Sequence, residues 1–216
     1  MKSLFYFFLL SFLFSISSYA QLQEEDVFNR AISEANNNVL HGDYPQAIIQ
    51  YKALLKIIEK QNREDLKPLV FNKLAEIYLK QRNFDLTQDF TEKVFEISKN
   101  NLSKHKLQEA IALDIMGKIE NVKRAFEKSL DYHTRALEIK ETIDEIDSSQ
   151  FVSSYFQFSK IYHMTGKYDQ AKAYLNKALK IKLKPTPKNT VLISGIYQGF
   201  GPVSYTHLTL PTTPYV

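Results

Sequence analysis

This sequence predicts an all-α fold of repeated helical hairpins, and three observations carry the prediction. Apolar residues recur at i, i+3, i+4 and i+7 through most of residues 21–201. That spacing lays a buried stripe along one side of a helix with 3.6 residues per turn. Short polar breaks interrupt the pattern at His41-Gly42-Asp43, Gln81-Arg82-Asn83 and Thr165-Gly166-Lys167. The pattern then resumes in register. Ala35, Ala75, Gly117, Ser159 and Gly201 share one repeat position, at intervals of 40, 42, 42 and 42 residues. A fixed period of this length is the mark of a stacked-repeat architecture, here four units and the start of a fifth.

Composition removes several alternatives. A chain of 216 residues, 44% of them hydrophobic, is long enough to bury a sizeable core. Six glycines and seven prolines are too few for a collagen-like, low-complexity or turn-dense all-β chain. The absence of cysteine excludes a disulfide scaffold, a thiolate nucleophile, iron–sulfur ligation and a zinc finger. The net charge of +4 is mild and implies no nucleic-acid partner.

The elements follow in order. Residues 1–20 read as a secretory signal: Lys2 supplies the positive start, Leu4 to Ile16 the apolar stretch, and Ser18-Tyr19-Ala20 the small residues of a cleavage site. The apolar stretch is short for a membrane span. Cleavage before Gln21 is therefore expected, with the mature chain exported to the periplasm or cell envelope. Residues 21–201 form the repeat domain. In each unit the second helix opens on an aromatic, at Tyr44, Phe84, Phe126 and Tyr168. Three positions later comes a small residue, Ala47, Thr87, Ser129 or Ala171. Facing the small residue of the preceding helix, it lets two backbones approach closely, while aromatics fill the adjoining holes. A second small residue follows at Ala136 and Ala178, with Leu54 and Val94 in its place in the first two units. Pro45 and Pro68 stand at helix starts, where the missing N–H costs nothing.

Two whole segments carry a family signature: Phe158-Ser-Lys-Ile-Tyr162-His-Met-Thr-Gly166-Lys-Tyr168-Asp-Gln-Ala171, and Gly42-Asp-Tyr44-Pro-Gln-Ala47-Ile-Ile-Gln-Tyr51. They resemble the tetratricopeptide repeat, and the resemblance covers essentially all of residues 28–201. The period is longer than the usual repeat of about 34 residues, which implies longer helices. The resemblance implies a right-handed α-solenoid. Tyr197-Gln-Gly-Phe200-Gly201 matches the opening of a fifth unit. Residues 202–216 carry no charged side chain, and Val203 to Thr212 resemble a translated sequencing adapter. That implies a non-native tail and a native chain continuing past Gly201.

Little in the sequence points to catalysis. The five histidines, His41, His105, His133, His163 and His207, form no metal-binding pair of the His-x₃-His or HExxH kind. No Gly-rich phosphate loop and no nucleophile elbow occurs. The acidic stretch Glu138–Glu145 reads as a helix end or solvated face. Asn101-Leu-Ser103 fits a glycosylation acceptor, and Lys180-Ile-Lys182-Leu-Lys184 fits a cationic helix end. The expectation is a chain without enzymatic activity, metal or cofactor.

The resemblance does imply a binding surface. In the family, the first helix of each unit lines a concave groove. Its candidates here are Asn36 in the first unit, Asn72 and Glu76 in the second, Asp114, Lys118 and Asn121 in the third, and Phe156, Lys160 and His163 in the fourth. Some members clamp a peptide's terminal carboxylate with Lys and Asn. Asn36 fits such a clamp, but Ile32 stands where it needs Lys. The expected function is an exported scaffold or adaptor that binds a protein or peptide, with no nucleic acid. The alternative is the sensor region of a bacterial signalling protein. A membrane span followed by a histidine kinase, transcriptional regulator or caspase-like effector would then lie beyond residue 201.

Overall fold

A computed structural model of the chain describes residues 27–100 and 102–182. The expected signal segment, the expected opening of a fifth unit and the uncharged tail lie outside the described residues. Helices fill almost the whole described chain, with no strand among the described residues. They are α1 (residues 27–40), α2 (Tyr44–Lys60), α3 (Lys67–Lys80), α4 (Phe84–Asn100), α5 (Leu102–Val122), α6 (Phe126–Glu141), α7 (Ser149–Met164) and α8 (Tyr168–Lys182). They pack into two compact units, one reaching Ile119 and the other starting at Glu120.

One turn design makes the hairpins. The Gly42 N–H donates to the Val39 carbonyl (3.2 Å) and the Asp43 N–H to the Asn38 carbonyl (2.9 Å). This pair of bonds closes a helix with one residue in the left-handed conformation. It recurs at Arg82-Asn83, Arg124-Ala125 and Gly166-Lys167. The left-handed residues are Gly42 (φ +80°), Arg82 (φ +59°), Arg124 (φ +62°) and Gly166 (φ +75°). Each stands two residues before the aromatic that opens the next helix. The residue between them caps that helix. Asp43 Oδ1 accepts from the Gln46 N–H, and Asn83 Oδ1 from the Leu86 N–H, both at 3.1 Å. Pro45 and Pro68 do fall in the first turns of α2 and α3. A further turn of the same kind ends α2, with Asn62 at φ +53°, before a short 3₁₀ turn at Glu64–Leu66.

In the first unit, the repeat's small residues sit at the bottom of the core. Ala35, Ala47 and Ala75 are sealed from solvent, and Thr87 with them. Around them pack Tyr51, Leu54, Ile58, Val70, Leu74, Ile77 and Ile115. Phe90 of α4 stacks on Tyr78 of α3 at 5.7 Å between ring centroids, with Phe71 tilted against it at 5.8 Å. Two hydroxyls that enter this core find backbone partners. Thr87 Oγ1 donates to the Asn83 carbonyl at 2.7 Å, and Thr91 Oγ1 to the Gln88 carbonyl at 2.9 Å. Lys67 ties the α2–α3 connection by pairing with Glu64 (2.7 Å) and Glu59 (3.2 Å). Hydrogen bonds to those carboxylates hold its ammonium above the usual lysine range.

In the second unit, α7 lies between α6 and α8. Ser159 of α7 donates to the Ala171 carbonyl of α8 at 2.7 Å. That bond marks the close crossing of the two small positions, both buried. Val152, Phe158, Ile161, Leu175, Ala178 and Ala136 complete the core. Tyr174 of α8 meets three aromatic rings of α7: Phe158 at 4.8 Å, Tyr162 at 5.6 Å and Tyr155 at 6.1 Å. Burial, with the phenols of Tyr162 and Tyr155 nearby, raises the Tyr174 phenol above its ordinary pKa. On the other side, His133 of α6 packs edge-on against Phe158 at 6.2 Å.

Candidate protein-binding surface

The first helices of the hairpins in the unit reaching Ile119 are α1 and α3, and α5 continues the series. Their groove positions are graded in depth. Ile32, Asn36 and Val39 of α1 are half-buried, as are Leu69, Glu76 and Leu79 of α3 and Ile111 and Lys118 of α5. The apolar members rest on the core beneath them. An apolar floor with a few fixed polar groups is the usual build of a ligand-binding surface.

Asn36 and Glu76 converge on one buried phenol. Tyr51 of α2 is sealed from solvent, and its hydroxyl donates to Asn36 Oδ1 at 2.8 Å. Burial, aided by the nearby Glu76 carboxylate, pushes the Tyr51 pKa up to about 12. Asn36 is thereby oriented from beneath. Glu76 itself is half exposed, with Lys73 at 3.7 Å.

Asn72 has a different role from the one its repeat position suggests. It is 2% exposed. Its Nδ2 donates to the Gln108 carbonyl at 2.8 Å and to Gln108 Oε1 at 3.0 Å, joining α3 to α5. Its amide N–H groups are consumed inside the protein, so Asn72 supports the surface from within. Asp114 is also buried, and Lys118 is the member of α5 that reaches solvent.

In the second unit, Asn121 is buried, Phe156 and His163 are half-buried and Lys160 is exposed. His163 packs edge-on against Tyr168 at 5.5 Å. Two buried polar residues in this unit went unremarked in the sequence. Lys140 is 1% exposed, and its Nζ donates to Ser154 Oγ at 2.9 Å. Ser154 in turn donates to the Gln150 carbonyl at 3.2 Å.

No group of three His, Cys, Asp or Glu side chains suited to a metal ion occurs among the described residues. No helix among them is long and apolar enough to cross a membrane.

A family model for the tetratricopeptide repeat matches residues 117–184. Those residues are of the tetratricopeptide-repeat type. Among solved structures, BtubC (BKLC) from P. vanneervenii shares the fold at a TM-score of 0.57 and 19% sequence identity, over 76% of this chain and 68% of that one. No curated protein matches the sequence. In repeats of this kind the helices serve as a scaffold for protein–protein contacts. Typical members bind their partners without catalysing a reaction.

Proposed function

We propose that this tetratricopeptide protein is a non-catalytic scaffold that holds a partner segment, extended or helical, against the first helices of its repeats. The supporting observation is the α1–α3–α5 surface, where half-buried Ile32, Leu69, Leu79 and Ile111 are interspersed with Asn36, Glu76 and Lys118. Apolar side chains supply non-directional adhesion, and the few polar groups set register and orientation. On α7, Phe156, Lys160 and His163 offer a further set of the same character. The amino-terminal segment, with its Lys2, apolar stretch and Ala20, supports export of the scaffold.

The test begins with peptides selected from a random display library against the full chain. Affinity of the selected peptides is then measured for Glu76→Lys, Lys118→Glu and Lys160→Glu variants. Loss of about tenfold or more in affinity at an unchanged melting temperature supports the surface, since a reversed charge at a binding site costs more than a kcal/mol. Unaltered binding by all three variants overturns it. Export is read separately: a mature amino terminus at Gln21 in an envelope fraction supports it, and an intact Met1 in the cytoplasm refutes it.

A further inference from the structure

The outward side of α2 departs from those of α4 and α6. At the repeat positions held by Ile49 and Ala53 in α2, α4 carries Asp89 and Lys93, and α6 carries Asp131 and Arg135. Both of those pairs are solvated ion pairs within one helix, at 2.6 Å and 3.6 Å. That is the ordinary way to finish a water-facing helix surface. In α2 the same place is apolar and open: Ile49 is 61% exposed and Ile57, two turns on, is 44% exposed. With Ala53 between them, they form a ridge at four-residue spacing, the kind that packs into the groove of another helix.

A second ridge runs beside it. Lys52, Lys56 and Lys60 are all exposed and follow the same four-residue spacing. Among the described residues none of the three enters an ion pair. The adjacent Glu59 is engaged by Lys67 instead. Three like charges on one ridge repel each other, and no ion pair among the described residues offsets them. An apolar ridge flanked by an uncompensated cationic row is complementary to one kind of surface: a helix with an apolar ridge of its own and a row of carboxylates beside it.

We propose that the outward face of α2 is a second docking surface, distinct from the repeat groove, and that its occupant is an acidic amphipathic helix of a partner protein. The face lies on the second helix of its hairpin, so its occupancy does not depend on the groove.

The experiment uses the full chain and a fluorescent synthetic helix bearing a leucine ridge flanked by glutamates, with a twin bearing lysines in their place. The glutamate helix should bind about tenfold or more tightly than its twin, as expected from about three facing charge pairs. A Lys52→Glu, Lys56→Glu, Lys60→Glu variant should invert that preference. An Ile49→Glu, Ile57→Glu variant should bind neither, with its helical circular dichroism unchanged because both side chains already face water. Equal binding of the two helices, or a preference that survives charge reversal, overturns the proposal. So does binding of anionic phosphatidylglycerol vesicles without discrimination between the helices, which would make the face a membrane contact. A concentration-dependent dimer abolished by Ile49→Glu would assign it to a second copy of the chain and overturn the proposal equally. Loss of groove binding in the Glu76→Lys or Lys118→Glu variants leaves this face intact, so the two readings fail independently.

Discussion

The Tyr51 hydroxyl donates to Asn36 Oδ1 at 2.8 Å, so a fully buried phenol of α2 fixes the orientation of an amide on the surface of α1. The bond makes one repeat position dependent on the protonation of another. Neutral Tyr51 is favoured by burial and by the Glu76 carboxylate, which hold its pKa at about 12 against an ordinary value of 10. The folded chain therefore keeps the phenol proton at a pH where the unfolded chain has lost it. The stability that this contributes is fully present below pH 10 and is lost as the pH rises towards 12. It amounts to about 2–3 kcal/mol in all. Tyr51→Phe should cost about 1 kcal/mol at neutral pH through the lost hydrogen bond. Above pH 10, urea titrations should show the variant's stability falling less steeply than that of the parent. Parallel curves would mean that Tyr51 ionises in the native state as freely as in the unfolded one.

The left-handed residues that close the four hairpins, Gly42, Arg82, Arg124 and Gly166, should respond to substitution with opposite signs. Gly42 and Gly166 have no heavy atom within 4 Å of where a Cβ would stand, so only backbone strain opposes a side chain there. Gly42→Ala and Gly166→Ala should each destabilise their unit by about 1 kcal/mol. Arg82 and Arg124 already carry that strain at φ +59° and +62°. Arg82→Gly and Arg124→Gly should be neutral or stabilise by up to about 1 kcal/mol, the relief of strain being offset by added chain entropy. Thermal unfolding of the four variants decides it. Destabilisation by all four would show that the arginine side chains contribute more than their backbone strain costs.

Much of this was legible in the sequence, because the features that set a repeat's geometry are local. Gly42 and Gly166 announce left-handed turns, Tyr44 and Phe84 announce the helix starts that follow, and Ala47 and Ala171 announce close crossings. Arg124 gave no such signal, since arginine is not a turn residue by type, and only the aromatic Phe126 two residues on marked that break. Depth was harder to read. Register places Asn36, Asn72 and Asn121 on first helices alike, yet one is half-buried and two are buried. An asparagine looks the same in the sequence whether its amide faces a ligand or a partner helix, and the side chain that engages Asn72 is Gln108, 36 residues away. Lys140 was hidden for a similar reason. It stands in an acidic stretch that reads as a solvated helix end, and only the packing of α7 against α6 shows that its ammonium is inside.

Asn72 gives a prediction that separates support from contact. Asn72→Ala removes two hydrogen bonds to the half-buried Gln108, from its carbonyl and its Oε1, which should cost about 1 kcal/mol of stability. Asn72→Asp should cost more, because it sets a carboxylate against two acceptors. Lys118→Ala, at a half-exposed position of the same surface, should leave the melting temperature within about a degree or two, since surface substitutions usually stay within ±0.5 kcal/mol. Equal melting temperatures for Asn72→Ala and the parent would place the Asn72 amide in the binding surface after all.

The buried pair in the second unit offers the clearest test of packing against charge. Lys140 donates to Ser154 Oγ at 2.9 Å with both residues at 1% exposure or less. An ammonium taken out of water is costly unless its hydrogen bonds are made, so Ser154→Ala should destabilise by about 1–3 kcal/mol. Lys140→Met keeps the volume and removes the charge, and once the charge is gone the serine matters less. The double variant Lys140→Met, Ser154→Ala should therefore lose less than the two single variants together, with a coupling of about 1–2 kcal/mol. Denaturant unfolding of the four chains measures that coupling directly. Strict additivity would mean that the ammonium draws nothing from the Ser154 hydroxyl.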